Sequence, residues 1–237
     1  MAMPRIFKPQ EEAMDFSSPI IVRVGAEKHP FIINKDVLTR SSDYFKTALK
    51  ECWTPPDDKT EFRTLALKHA EVKTFNIYAN WLHSRIVYTQ TKDTNKSSDT
   101  YILLGKCYTL GDLLLDPDFR DTIADALCCQ VNTVLDGMRY FPNTEAKQYL
   151  YANTAPAAKI RQLCVDLFAG CKNVEILDDE DPPEFLRAVA GALIAGSAVD
   201  HKAIFADCKY HEHGEGADAC YRKRLFSAPA RPADASK

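Results

Sequence analysis

No stretch of this 237-residue chain is both apolar and long enough to cross a bilayer. The longest, Ala188–Val199, has 12 residues, where about 20 are needed. An apolar export-signal core is also missing from Met1-Ala-Met-Pro-Arg-Ile-Phe-Lys-Pro9. A soluble protein of the cytoplasm or nucleus is therefore expected, without a membrane partner. Glycine is scarce, at nine residues, and the sequence contains no G-x-x-x-x-G-K, G-x-G-x-x-G, H-E-x-x-H or G-x-S-x-G. Phosphate-cradling loops, zinc-protease helices and nucleophile elbows are thereby removed, and no enzyme is expected. Charge of one sign is lacking too. Thirty Lys+Arg face 33 Asp+Glu, a formal charge of -3, which gives no global pull toward nucleic acid or anionic lipid.

What is present belongs to a globular protein. Hydrophobic residues make up 46% and charged residues 27%, so wholesale disorder is excluded. Of the eight cysteines, Cys52, Cys107, Cys128, Cys129 and Cys164 lie in apolar, helix-like runs, where a free thiol behaves as a small hydrophobe. Cys208 and Cys220 differ, because they flank two histidines.

Residues 1–18 are polar and aperiodic, and read as a flexible arm. Pro19–Gly25 and Lys28–Ile33 are apolar runs split by a short Gly-containing turn, the pattern of a β-hairpin. Asn34 caps an expected short helix over Lys35–Arg40, and Ser41 or Ser42 a second over Asp43–Glu51. Alternation over Glu61–Leu67 gives a third strand. Val72, Phe75, Tyr78 and Leu82 then recur at helical spacing. Two more helices follow over Tyr101–Leu115 and Asp118–Val131, the latter opened by Asp116-Pro117.

This order, and its wording, resemble the BTB/POZ domain, particularly its short fungal type. The resemblance rests on four stretches within residues 19–131. They are Ile21–Gly25 with Phe31–Leu38; Arg40–Leu49, like the family's S-x-x-F helix; Phe75…Trp81-Leu82…Val87-Tyr88; and Cys107–Leu113 with Phe119–Leu127. The fold class it implies is α+β, a small sheet with a helical cluster. The function it implies is protein–protein interaction, through homodimerisation or partner recruitment, in some members as an adaptor on a cullin ubiquitin ligase. Tyr44, Phe45, Lys46 and Trp53 are the candidate partner-facing residues. The chain departs from the family pattern at Pro19, Asn34 and Pro55. Pro55 stands where adaptors carry Glu, although Leu49-Lys-Glu51 has that pattern one helical turn earlier.

Residues 132–207 read as a helical extension. Tyr140–Thr144 and Ala158–Phe168 resemble helices that follow the domain in fungal members. Ile160, Leu163, Cys164, Leu167 and Phe168 make one helical face, stopped by Gly170, and Glu184–Ala195 forms another helix. Gly191 and Gly196 are expected to permit close helix packing. From residue 222 to 237 the chain is basic, then Ala/Pro-rich, and is expected to be a disordered tail.

Residues 208–221 hold the densest chemistry. Cys208, His211, His213 and Cys220 read C-x2-H-x-H-x6-C, a ligand set suited to one structural zinc. Gly214 and Gly216 are expected to let the short segment fold around an ion. A similar ending is recognised in fungal relatives. The competing reading is a solvated loop with free thiols, since H-x-H on an extended chain points its rings to opposite faces. A second functional reading has this segment and Arg222-Lys-Arg224 contact nucleic acid. His29, His69 and His83 are expected to be surface or packing residues.

Overall fold

The computed structural model describes residues 17–50, 62–89, 97–135, 137–196, 204, 208–214 and 216–226. Strand β1 (Pro19–Val24) pairs antiparallel with β2 (His29–Asn34), and β3 (Arg63–Leu67) pairs parallel with β1, giving the order β2-β1-β3. Alternation decides the faces: Ile20, Val22 and Val24 point into the core while their neighbours are half-buried. The hairpin turns at Gly25, whose φ of +76° disfavours a side chain, and the Gly25 N–H continues the ladder to the Leu67 carbonyl at 3.0 Å.

Between β2 and β3 lie α1 (Lys35–Thr39) and α2 (Asp43–Ala48). Asn34 caps the first by accepting from the Asp36 N–H at 2.8 Å. Ser42, the capping residue of α2, accepts from the Phe45 N–H and donates to the Leu114 carbonyl at 2.6 Å. Helices α3 (Val72–Ser84), α4 (Ser97–Leu113) and α5 (Pro117–Asn132) follow. Asp116 joins these parts. Its carboxylate caps α5 through the Phe119 N–H and accepts from the Ser41 and Tyr78 hydroxyls, both at 2.8 Å. Burial raises its pKa from the ordinary value, although those bonds pull the other way. Around it Phe45, Tyr78, Trp81 and Phe119 form a buried aromatic cluster.

After a two-residue ladder of β4 (Val134–Leu135) with β5 (Met138–Arg139), the extension runs through α6 (Thr144–Asn153), α7 (Lys159–Cys171) and α8 (Pro183–Ile194). The fold is thus mixed α and β, with a three-stranded sheet and helices. Buried residues from Ile20 to Tyr210 form one continuous cluster, so sheet, helical cover and extension share a core. Helix α7 passes through Gly170 and ends instead at Cys171, with Lys172 left-handed at φ 54°. Nor does Gly191 permit close packing: a Cβ there would meet nothing within 4 Å. Close approach is found instead on α4: at Gly111 a Cβ would lie 2.9 Å from Arg120 Cγ and 3.2 Å from the Phe119 ring, and at Gly105 3.3 Å from the Tyr149 ring. Gly196, at φ +65°, follows the end of α8 and donates to the Leu193 carbonyl. The expected tail starts in regular structure, because α9 spans Tyr221–Phe226.

Candidate metal centre

Helix α5 is buried over most of its length, yet it carries Asp121 and Asp125 one turn apart on one face. The C-terminal segment lies over that face. A turn closed by His211 N–H to the Cys208 carbonyl (3.0 Å) starts it. Gly216 at φ +94° lets the chain enter a 3₁₀ turn (Ala217–Ala219) that returns Cys220 to the same place. Gly214 does not use the left-handed region. Because the backbone turns, the H-x-H pair does not splay. The His211 and His213 rings are 5.4 Å apart. One candidate ligand atom from each of Cys208, His211, His213 and Cys220 lies within 4.8 Å of all the others. Sequence spacing had left a solvated loop open as the competing reading; the geometry brings all four together, and they could hold a metal ion.

His211 Nδ1 lies 3.5 Å from Cys220 Sγ. Both residues are buried, with His211 only 1% exposed. On its other side the His211 ring places Nε2 3.0 Å from Asp125 Oδ1. Asp125 also accepts from the Tyr221 hydroxyl and from the Arg222 guanidinium. Burial alone would push Asp125 up, but hydrogen bonds from His211, Arg222 and Tyr221 outweigh it and hold the carboxyl below its ordinary value. For His211, burial favours the neutral ring and the Asp125 bond and charge overcome it, so its pKa is raised. Asp121 is fully buried. Its Oδ1 accepts the Glu212 N–H at 2.5 Å, its Oδ2 has no hydrogen-bond partner, and burial pushes it up to about 6. The Cys208 thiol is raised by burial and by its contact with Cys220.

The residues between the candidate ligands anchor the segment elsewhere. Glu212 accepts from the Tyr108 hydroxyl on α4 at 2.8 Å and from the Lys159 N–H at 3.0 Å. It thereby serves the start of α7, whose own Ala158 cannot cap. Lys209 and Tyr210 both bond Asp166 on α7. Asp121, Asp125, Glu212 and Tyr221 were not singled out from sequence. The available signal was the Asp121–Asp125 spacing, two acids one turn apart on a helix whose other faces are apolar.

Of the candidate partner-facing residues, Phe45 is corrected. It is fully buried and packs on Tyr78 and Tyr44, because a short helix capped by Ser42 points its third residue into the core. Tyr44 is half-buried, and Lys46 is exposed beside Asp43 at 2.8 Å. Trp53 lies outside the described residues. His29, His69 and His83 are exposed, and the rings of His29 and Phe31 meet edge to face. Among the thiols, Cys107, Cys128 and Cys164 are buried, but Cys129 is exposed, as adjacent positions on a helix point about 100° apart. Cys52 is outside the described residues. None of the described helices is long and apolar enough to cross a membrane. No family model matches the chain, and no curated protein matches it closely enough to carry an argument.

Proposed function

We propose that this chain is a non-enzymatic protein–protein interaction module of the BTB/POZ kind, acting by homodimerisation or partner recruitment, with one structural zinc in its C-terminal segment. The observation that carries the first half is the sheet. A hairpin, two short capped helices and a third strand, followed by covering helices, is the element order on which the sequence resemblance rests. Its edge strand β2 presents Ile32, 73% exposed, and α2 presents Tyr44 and Lys46. A partner or a two-fold copy would bury these side chains. A cullin scaffold remains one partner of this reading, despite Pro55.

Zinc is the metal because the donor set is two thiols and two imidazoles, the soft and borderline ligands of a closed tetrahedral site with no position for substrate. The nucleic-acid reading is weaker on electrostatic grounds. Arg222 is paired with Asp125, and the segment rests on Asp121, Asp125 and Asp166.

Light scattering on the full chain, with proximity labelling in cells, tests the module. A dimer or a captured scaffold is expected, and a strict monomer that labels no partner overturns it. Elemental analysis of reduced protein tests the metal. About one zinc per chain is expected, and less than about 0.2 removes it.

A further inference from the structure

The two histidines of the centre each have one nitrogen already committed, and the commitments fix which atom is left. His213 Nδ1 lies 2.8 Å from the Gly214 carbonyl. A carbonyl oxygen only accepts, so Nδ1 carries the hydrogen and Nε2 carries the lone pair. That Nε2 is enclosed and has no hydrogen-bond partner. His211 is arranged the other way round. Its Nε2 faces the Asp125 carboxylate, which also only accepts when ionised, so Nε2 donates and Nδ1 is left with the lone pair. Nδ1 is the atom 3.5 Å from Cys220 Sγ. Zinc bonds of about 2.3 Å to sulfur and about 2.05 Å to nitrogen at the tetrahedral angle place S and N about 3.6 Å apart. This edge of the polyhedron is therefore already formed.

We propose that Asp125 is the positioning residue of the zinc centre, orienting His211 so that it binds through Nδ1, while the Gly214 carbonyl orients His213 to bind through Nε2. The inference rests on the zinc reading above and adds its ligand atoms and outer hydrogen bonds. The same carboxylate accepts from Tyr221 and Arg222, which follow Cys220 directly. Asp125 thus couples the metal to the seating of both ends of the segment on α5. Outer-shell carboxylates of this sort typically hold ligand imidazoles in one tautomer and strengthen binding.

The test uses the full chain with Zn²⁺ and Co²⁺ as probes. Long-range proton–nitrogen correlation on the zinc-loaded wild type should find His211 protonated at Nε2 and His213 at Nδ1. The opposite tautomer at either ring overturns the assignment, and this needs no variant to fold. In competition with a chromophoric chelator, Asp125→Ala should weaken zinc binding about 10- to 100-fold and alter the cobalt ligand-field bands. Asp125→Asn, whose amide oxygen still accepts from Nε2–H, should recover part of the loss. Glu71→Gln, which removes an exposed carboxylate paired with Lys106 away from the centre, should leave the cobalt bands unchanged. Wild-type affinity and an unaltered cobalt spectrum in Asp125→Ala would remove the positioning role and leave zinc standing. A wild type that binds neither ion removes both.

Discussion

Lys147 sits on α6 with a side chain 1% exposed, its ammonium 2.5 Å from Asp181 Oδ2 and 4.7 and 5.2 Å from the Phe168 and Phe185 ring centres. The same carboxylate oxygen accepts the Asp178 N–H, so the pair fixes the turn that leads into α8. Removing one partner strands the other as a buried charge. Lys147→Met is expected to cost about 3–5 kcal/mol in urea unfolding, and Lys147→Met with Asp181→Asn to recover most of it, since neither side is then charged. Equal losses in the single and double variants would show that packing alone sets the cost. Nothing in the sequence marks this lysine, because long charged side chains are ordinarily solvated and its partner is far along the chain. Phe45 fails as a partner-facing residue for a related reason. An S-x-x-F pattern gives the cap and the spacing, but which side of a six-residue helix meets the core depends on α3 and α5. The four candidate ligands were legible because thiol and imidazole crowd into 13 residues. Their outer partners were not, since Asp121 and Asp125 come from a helix some 90 residues earlier and look like ordinary surface acids.

At the level of elements, apolar runs split by a Gly-containing turn located β1 and β2, helical spacing located α3, and Asn34, Ser42 and Asp116-Pro117 marked helix starts. Asn34, Ser42 and Asp116 all cap as their chemistry predicts. The ladder of β4 with β5 has only two residues on each side, too few for a period, and α6 mixes buried Ala146, Lys147 and Leu150 with polar positions. Helix glycines were harder, because propensity treats them alike while the neighbouring helix does not. Gly111 lies against α5, so Gly111→Ala drives a methyl toward Arg120 and the immobile Phe119 ring; a net loss of about 1–2 kcal/mol is expected, the strain exceeding the gain in helix propensity. Gly191 is exposed on α8 with open space around it. Gly191→Ala should therefore stabilise by about 0.5–1 kcal/mol. Denaturant midpoints of the two variants should move in opposite directions, and a shift of the same sign in both would contradict the close approach of α4 and α5.

On the scale of the whole molecule, the C-terminal segment acts as a clasp. It touches α4 through Glu212 and Tyr108, α5 through Asp121 and Asp125, and α7 through Asp166 and Lys159. Tyr210 belongs to the common core. Short segments bury little surface of their own, and a metal that bound only the folded arrangement would add stability there. At free zinc one thousand times the dissociation constant, that contribution is about 4 kcal/mol. Treating reduced protein with a chelator should therefore lower its melting temperature, and restoring zinc should recover it. Amide exchange gives the location. Without zinc, protection should fall in the segment, in α9 and at the start of α7, where the Lys159 N–H loses Glu212 as its acceptor. The β1–β3 ladder and α3, which do not touch the clasp in any of these contacts, should keep theirs. If chelation left melting and exchange unchanged, the hydrogen bonds and packing of the segment would suffice to seat it, and the metal would have no part in holding the helical extension to the sheet domain.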